Sequence, residues 1–335
     1  MSWRNLITDV PGLRVGNAHD ERLASGVTVA LLDDASAVSC AVLGGAPGSR
    51  ETTLLEPEMI ATGADAIVLS GGSTFGLDAA TGVQALLRER GVGLPFASLR
   101  IPLAAQAICF DLLNGGDKEW GRFPPYRDLG YAAAEAASDE FALGTVGGGY
   151  GATTADLKGG LGSASALTPS GFRVGALAVV NAIASAVVGG GPHFWAAPFE
   201  EGDEFGGLGS PARVTPAMRE PRWKGRSEPG TTIALVATDA ALSKPQAKRL
   251  AVAANGGLHK ALRFANAETD GDTVFAAATA QAAKRPELQD LVGIGAAAAD
   301  CLARAIARGV YEATALPCCP DRPAWRDRFN GRAPR

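Results

Sequence analysis

Apolar residues are grouped along this chain in two kinds of segment. Short β-branched or Ala-rich runs predict buried strands at 27–32, 41–43, 66–69 and 274–278. Longer segments with apolar residues at helical spacing predict helices at 74–89, 129–137, 244–263 and 288–311. Asp239 and Ser243 are candidate capping residues ahead of the third helix.

A long irregular tract, rich in Pro, Gly and charged residues, occupies 196–230. Structureless loops longer than about 12–15 residues are uncommon within a compact domain and tend to be functional or disordered. Two explanations fit this tract: a linker that becomes the loose end of a cleaved chain, or an ordinary surface excursion.

The tract ends at Gly230, and Thr231 opens an apolar, β-branched run at 231–237. From the local pattern alone, a loop entering an ordinary strand is favoured. The alternative is that the chain cuts itself before Thr231. An N-terminal Thr carries a hydroxyl nucleophile and an α-amine on one residue, and the reference pKa of that amine, roughly 7.7–8.0, makes it a usable base.

Composition is compatible with one large α/β domain, since 47% of the 335 residues are hydrophobic. The net charge of -4 and the scattered Lys and Arg residues argue against a nucleic-acid partner. The longest apolar run, 174–188, is short for a membrane span and contains Asn181. We expect a cytoplasmic protein, because no signal peptide is visible and the five cysteines lack paired spacing.

Most familiar catalytic motifs are absent. The three histidines lie near no G-x-S-x-G sequence, and there is no H-E-x-x-H, zinc-ligand spacing or P-loop. The Gly-rich loop at 144–151 does not have the G-x-G-x-x-G spacing of a dinucleotide site. The motifs therefore give no sign of a zinc site, a P-loop nucleotide site or a dinucleotide site.

Four polar residues in apolar or Gly-rich surroundings remain as candidates. Asn181 is either a buried structural amide or a donor to a developing oxyanion. Asp270 and Asp272 flank a glycine before a predicted strand, and they either form a turn or hold an ammonium group. Lys158 is either a solvated lysine or a cation that lowers the pKa of a hydroxyl.

Short sequence strings that follow one another along nearly the whole chain resemble those of the P1 family of peptidases. That group includes the L-aminopeptidase/D-esterase, β-peptidyl aminopeptidases, nylon-oligomer hydrolases and a pantetheine hydrolase. The resemblance rests on the strings at 9–16, 44–52, 69–80, 110–112, 116–117, 144–151, 158–163, 181, 230–233 and 270–273.

The resemblance implies a single catalytic domain, 1–335, with an α/β fold. This fold is a four-layer α-β-β-α sandwich of the N-terminal-nucleophile type, as in the aminopeptidases and ornithine acetyltransferases. It also implies self-cleavage between Gly230 and Thr231 into chains 1–230 and 231–335. The relatives commonly form homo-oligomers of this two-chain unit, so we expect an oligomer that acts on a short peptide or small molecule.

Carried over by position, Thr231 is the nucleophile, its α-amine the base and Asn181 the oxyanion donor. The chemistry that the resemblance implies needs neither a metal nor an organic cofactor. Asp270 and Asp272 correspond to positions that orient the nucleophile or bind the substrate amine. Lys158 is a candidate replacement for the lysine of some relatives. The substrate pocket is predicted to include Gly72, Ser73, Gly149 and Tyr150.

Two departures from the family pattern are visible. Many relatives have Asn before the bond that is cut, where this chain has Gly230, and glycine can adopt strained backbone geometry that other residues avoid. Relatives often carry Gly-Lys after the Gly-rich loop, where this chain has Ala155 and Asp156.

The predicted function is that of a self-processing aminopeptidase or amidase acting on short peptides or small amides and esters. Three alternatives stay open. They are a nylon-oligomer or pantetheine-type amidase, an acyl transferase like ornithine acetyltransferase, and an uncleaved binding protein without activity. The A-T-M-L type of cleavage site found in the transferases is not matched at 230–233.

Overall fold

The computed structural model describes residues 3–33, 37–225 and 228–329. Its strands are β1 (Leu13–Asp20), β2 (Ser25–Leu32), β3 (Ala37–Val42), β4 (Ser49–Arg50), β5 (Ala66–Ser70), β6 (Leu94–Phe96), β7 (Leu99–Ile101), β8 (Ala104–Ile108), β9 (Gly160–Leu167), β10 (Arg173–Asn181), β11 (Thr231–Thr238) and β12 (Thr273–Ala278). Its helices are α1 (Ala79–Glu89), α2 (Tyr126–Glu135), α3 (Pro216–Arg219), α4 (Lys244–Ala254), α5 (Gly256–Ala261), α6 (Leu288–Tyr311) and α7 (Trp325–Phe329).

Two five-stranded sheets form the centre of the fold. The first sheet has the order β1-β2-β5-β8-β4, and the second has the order β3-β12-β11-β10-β9. Each sheet contains one parallel pair among its described strands, β5 with β8 and β11 with β12, and the other pairs are antiparallel. Strand β11 is therefore central in the second sheet, with β10 on one side and β12 on the other.

The sheets pack face to face, and helices cover both outer faces. On β11, Leu235 belongs to the core between the sheets, whereas Val236 belongs to the core beneath α4, α5 and α6. A third core lies between the first sheet and helices α1 and α2. Because the central strands are buried on both faces, their sequences are continuous apolar runs without alternation. The four-layer α-β-β-α prediction is confirmed.

Glycine allows the closest contact between a helix and the second sheet. A Cβ on Gly162 in β9 would lie 1.8 Å from the carbonyl oxygen of Ala305 in α6. No side chain fits at such a distance, so the helix backbone lies directly on the strand. Helix α6 begins and ends where the apolar spacing predicts.

Three other helices differ from the sequence prediction, and α2 differs only by a shift, to Tyr126–Glu135 from the predicted 129–137. The segment 74–89 starts as a 3₁₀ turn, Ser73–Asp78, before α1 begins. The segment 244–263 is two helices, because the chain bends at Asn255. A Cβ on Gly257 would lie 2.4 Å from the carbonyl oxygen of Ala299, so α5 is placed by close packing on α6.

Of the two predicted capping residues of α4, Ser243 is confirmed and Asp239 is wrong. Ser243 caps the helix in a capping box with Gln246. The carboxylate of Asp239 accepts instead from the main-chain N–H of Arg173, at 2.9 Å.

The tract 196–230 is irregular over its described part, apart from one 3₁₀ turn and the single turn of α3. It is held to the body of the protein by Glu204, which is paired with the buried Arg304 of α6 at 2.5 Å. The apolar run at 174–188 is β10 followed by irregular backbone. No helix within the described ranges is both long and apolar enough to cross a membrane.

Candidate active site

The four strongest catalytic candidates meet at one end of the second sheet. Thr231 is the first residue of β11, and Asn181 is the last residue of β10, directly opposite it in the antiparallel register. The loop that leads into the parallel strand β12 carries Asp270 and Asp272, and Gly230 forms a bridge with Asp270. Sheet topology thus brings together residues that are up to 91 positions apart in the sequence.

The peptide bond before Thr231 is surrounded by groups that can act on it. Thr231 is buried, and its Oγ1 donates a short hydrogen bond to the carbonyl oxygen of Gly230. The same carbonyl accepts from the main-chain N–H of Gly271 at 3.2 Å. The carbonyl group of Gly230 therefore accepts from two donors, the hydroxyl of Thr231 and the N–H of Gly271, and both polarise it.

The structure needs a glycine at position 230 for steric reasons and not to relieve backbone strain. It is not among the glycines with positive φ. A Cβ at this position would lie 2.0 Å from the main-chain nitrogen of Ile183. The absence of a side chain lets the segment before Thr231 lie against the chain that continues from β10.

Asp272 fixes the start of β11. One carboxylate oxygen accepts from the main-chain N–H of Thr232 at 2.6 Å, and the other accepts from the N–H of Asn266 at 2.8 Å. Burial, followed by the charge of Asp270, raises the pKa of Asp272 to about 7. The carboxyl group is therefore held in place by the backbone and titrates near neutrality.

Asp270 lies beside the Gly230–Thr231 bond. Its Oδ2 accepts from the N–H of Ala267 at 3.2 Å, and burial raises its pKa against the opposing effect of nearby amides and Lys224. The loop around Gly44 packs against it, since the N–H of Ala46 donates to the carbonyl oxygen of Asp270 at 2.8 Å. This contact explains why a Gly-Gly-Ala string far away in sequence accompanies the Asp-Gly-Asp string.

The carboxamide of Asn181 is fully buried and its orientation is defined by its partners. Oδ1 accepts from the main-chain N–H of Thr153 at 3.0 Å and from Nζ of Lys224 at 2.9 Å. Nδ2 donates to the carbonyl oxygen of Phe110 at 2.8 Å. One N–H of Nδ2 has no partner within the described ranges, so this amide has a donor to spare.

The recorded hydrogen bonds of Lys158 go to the backbone of the Gly-rich loop and its surroundings and not to Thr231, Asn181, Asp270 or Asp272. Its fully buried Nζ donates to the carbonyl oxygens of Gly149, Ala152 and Gly159 at 2.8–3.1 Å. Burial lowers its pKa to about 7. Since these three bonds use all three N–H groups, Lys158 ties the Gly-rich loop to the segment that carries Thr153.

Sequence reasoning missed Lys224. It is 2% exposed, and its Nζ donates to both the main-chain and the side-chain oxygen of Asn181. Burial lowers its pKa to about 8. Nothing in the local pattern distinguishes it from a solvated lysine; its only signal is its position, seven residues before Thr231.

Two cavities lie beside the residues that precede the Gly230–Thr231 bond. The smaller cavity, about 180 Å³, has polar walls that include Asp111, Glu228 and Arg322. The larger cavity, about 580 Å³, is mostly apolar and is lined by Ile183, Trp223 and Phe264 among others. Lys224 and Pro229 border both cavities. Lys224, Glu228 and Pro229 therefore lie where the two spaces approach each other, a few residues before Thr231.

The four predicted pocket residues do not line either cavity. Gly72 and Ser73 both have positive φ, and the N–H of Gly72 donates to Asp111 at 2.7 Å. Gly72 therefore holds the carboxylate of Asp111, which lines the smaller cavity. Tyr150 stacks on His19 with ring centroids 4.3 Å apart, and Gly149 supplies a carbonyl to Lys158. Within the described ranges, no group of three His, Cys, Asp or Glu side chains could hold a metal.

Comparison with known proteins agrees with this arrangement. The profile described as Peptidase family S58 matches residues 5–322. An uncharacterised aminopeptidase of Mycobacterium tuberculosis is 41% identical over 350 residues, covering 98% of each chain. A 6-aminohexanoate-oligomer endohydrolase of Kocuria sp. is 27% identical, covering 81% of this chain and 74% of its own.

Solved structures share the fold. A Burkholderia sp. β-aminopeptidase superposes with a TM-score of 0.67 at 23% identity, covering 93% of this chain and 88% of its own. An L-aminopeptidase D-Ala-esterase/amidase from Ochrobactrum anthropi, described as a variant of the Ntn hydrolase fold, gives a TM-score of 0.68 at 19% identity. It covers 95% of this chain and 89% of its own.

The fold and the family match define a hydrolase of the peptidase class. More particularly, the chain belongs to peptidase family S58, and the family predicted from the sequence is confirmed.

Proposed function

We propose that this protein is a self-processing amide hydrolase whose nucleophile is Thr231, and that it removes N-terminal residues from short peptides. The observation that carries this proposal is the geometry of the Gly230–Thr231 bond. The hydroxyl of Thr231 contacts the scissile carbonyl, which also accepts from the N–H of Gly271.

Self-processing is an acyl shift followed by hydrolysis. Oγ1 of Thr231 attacks the carbonyl carbon of Gly230, the C–N bond to Thr231 breaks, and the nitrogen takes up a proton. An ester then joins Gly230 to the hydroxyl of Thr231. Water cleaves the ester, which gives a carboxylate on Gly230, a free hydroxyl and a free α-amine on Thr231.

The processed site then acts on a second amide. The α-amine of Thr231 accepts the proton of its own hydroxyl, and Oγ1 attacks the carbonyl carbon of the substrate. The unpartnered N–H of Asn181 stabilises the oxyanion, the leaving amine takes the proton, and water releases the acyl group. Asp270, next to the new N-terminus, balances the charge of the α-ammonium form.

The two cavities support a small substrate. Self-cleavage frees the chain end at Gly230, beside Pro229, which borders both spaces. A substrate that replaces this end would place its acyl portion against Ile183 and Trp223 and polar groups towards Glu228. The named activities of the relatives, aminopeptidase and 6-aminohexanoate-oligomer endohydrolase, are both cleavages of an amide bond.

The test is an assay of the purified, processed protein against three substrate sets, with Thr231→Ala as the control. The sets are aminoacyl p-nitroanilides, di- and tripeptides, and linear 6-aminohexanoate oligomers. Release of N-terminal residues by the wild type alone is the expected result. Turnover of the oligomers alone would mean that the substrate is a synthetic amide and not a peptide. Equal turnover by Thr231→Ala would overturn the assignment of Thr231 as the nucleophile.

A further inference from the structure

Asn181 can serve an oxyanion only if its carboxamide is turned the right way. The carbonyl and amino ends of a carboxamide have nearly the same shape, so packing alone does not choose between the two orientations. Hydrogen-bond partners make the choice. In this site the Oδ1 side faces two donors, the N–H of Thr153 and Nζ of Lys224, while Nδ2 faces the carbonyl of Phe110.

Lys224 contributes the strongest of these constraints. Its Nζ lies 2.9 Å from Oδ1 and 3.1 Å from the main-chain oxygen of Asn181, so it binds two acceptors of one residue. A flipped carboxamide would direct N–H groups at the ammonium group and would leave a buried charge short of an acceptor. Bonds in which the donor is ionised are roughly twice as strong as neutral ones.

The backbone of Lys224 is also fixed. Its N–H donates to the carbonyl oxygen of Ile183 at 2.9 Å, and the neighbouring Trp223 forms a bridge with Ala184. The segment that carries the lysine is therefore attached to the chain just beyond Asn181. This attachment lies on the N-terminal side of the cleavage site, so it can persist after the bond to Thr231 is cut.

The geometry points to Lys224 as a positioning residue for the Asn181 carboxamide, which it holds with a donor N–H available for the reacting carbonyl. In this role the ammonium group acts through Asn181, the residue to which both of its recorded hydrogen bonds go. This inference rests on the proposed function, because an oriented donor matters only if a carbonyl is attacked beside it.

The structure supplies a matched control. Lys244 is a second largely buried lysine, whose Nζ donates to the carbonyl oxygens of Leu54, Met59 and Ala61 at 2.6–3.1 Å. It lies on α4, and none of its recorded partners belongs to the candidate site. Lys244→Met removes the same charge from a similar environment, so it reports the general cost of losing a buried lysine.

The central experiment is a double-mutant cycle on kcat, expressed per processed chain. We expect Lys224→Met to lower kcat about 10–100-fold with KM within about twofold, less than the loss of the donor itself. In an Asn181→Ala background the same change should cost less than about twofold, because its target is gone. Lys244→Met should leave kcat unchanged. An undiminished loss in the Asn181→Ala background would overturn the inference.

A rescue experiment protects against a trivial folding defect. Lys224→Ala leaves a space that propylamine can enter as propylammonium, and added propylamine should restore kcat where propanol does not. Equal effects of both compounds, or no rescue of a protein with the circular dichroism spectrum of the wild type, would contradict the role assigned to the ammonium group.

A second readout is independent of activity. In the single-chain Thr231→Ala background, Lys224→Met should shift the side-chain amide resonances of Asn181 in an ¹⁵N-Asn-labelled spectrum, and Lys244→Met should not. If the wild type neither cuts itself nor hydrolyses amides, the proposed function fails. The spectrum would still show whether Lys224 contacts the carboxamide of Asn181. An unshifted Asn181 signal would refute the positioning role alone.

Discussion

Asn181 and Thr231 face each other across two antiparallel strands, the last residue of β10 opposite the first residue of β11. The pair brings a side-chain amide and a hydroxyl group to the ends of two adjacent strands, at positions that are both buried. Sites built on strands hold their geometry better than sites on loops. This relationship supports the predictions that follow.

Removing the carboxamide of Asn181 should slow the reaction, and kcat is compared per folded, processed chain because the change also takes the side-chain acceptor from the buried Nζ of Lys224 and the N–H of Thr153. Loss of one oxyanion donor typically costs about 10²–10³ in kcat, so we expect a decrease of this size in Asn181→Ala. Steady-state kinetics on the processed protein measures it. Asn255→Ala removes another buried Asn, at the junction of α4 and α5, and should keep the wild-type kcat. A near-normal kcat in Asn181→Ala would mean that another group stabilises the oxyanion.

Substituting Gly230 should prevent maturation for steric reasons. In Gly230→Ala the new Cβ would lie 2.0 Å from the main-chain nitrogen of Ile183, so the segment must move away from Thr231. Overpacking of this kind costs about 1–3 kcal/mol, and the displaced carbonyl loses its alignment with the hydroxyl. Mass spectrometry over time follows self-cleavage.

Gly225→Ala is the matched control for this steric effect. Among the residues that the structure describes, none comes within 4 Å of a Cβ at Gly225, and its φ lies outside the positive range. It changes the same segment without a clash, and it should cut at the wild-type rate. Normal processing of Gly230→Ala would show that contact with Ile183 does not position the scissile bond.

Asp272 should make the folded state less stable as pH rises towards neutrality. Its pKa, raised to about 7 by burial and then by Asp270, exceeds the unfolded value of about 3.9. The protonated form is therefore favoured by folding. This contribution is fully present below about pH 4 and is lost as pH rises through about 7.

Urea unfolding of single-chain Thr231→Ala, with and without Asp272→Asn, checks this sign. Stability of the parent should fall more steeply between pH 5 and pH 8 than that of the Asn variant. Lys158 and Lys224 have depressed pKa values, and such lysines add stability as pH rises above about 7, which is the opposite sign. Parallel pH profiles for the two proteins would refute a neutral-range titration of Asp272.

The ion pair that holds the irregular tract should matter for stability. Arg304 is nearly inaccessible, and its guanidinium group contacts Glu204, Asn5 and the carbonyl oxygen of Ser165. Although burial tends to raise the pKa of Glu204, the hydrogen bond and charge of Arg304 hold it below its usual range.

We expect Arg304→Met to lower the free energy of unfolding by about 3–5 kcal/mol, because it leaves a largely buried carboxylate without its partner. Denaturant unfolding measures this loss. Arg14→Met breaks the exposed pair with Asp33 and should cost at most about 1 kcal/mol. Similar losses in the two variants would mean that burial adds nothing to the Arg304 pair.

The sequence predicts some of these features well. The spacing of apolar residues along α6 gives its ends, because a long amphipathic helix is decided by local pattern. The break at Asn255 depends on Gly257 lying against Ala299, a contact between distant residues that no window of sequence contains.

The site was accessible mainly through family resemblance. Asn181, Thr231 and the two aspartates converge because β11 lies between β10 and β12, and strand order is a non-local property. Lys224 had no sequence signal, since its importance lies in a contact with a residue 43 positions away. Gly72 and Ser73 were expected in the pocket wall, whereas Gly72 supports Asp111, which lines it.

The most direct test of the account is intact-mass measurement and N-terminal sequencing of the purified protein, beside Thr231→Ala. The account predicts fragments of about 23 and 11 kDa, in proportion to the 34.1 kDa chain, with Thr-Thr-Ile-Ala at the new N-terminus. The control should remain intact. A wild type that stays as one 34.1 kDa chain after long incubation, like its control, would contradict the account and favour a protein that keeps the fold without the self-activated nucleophile.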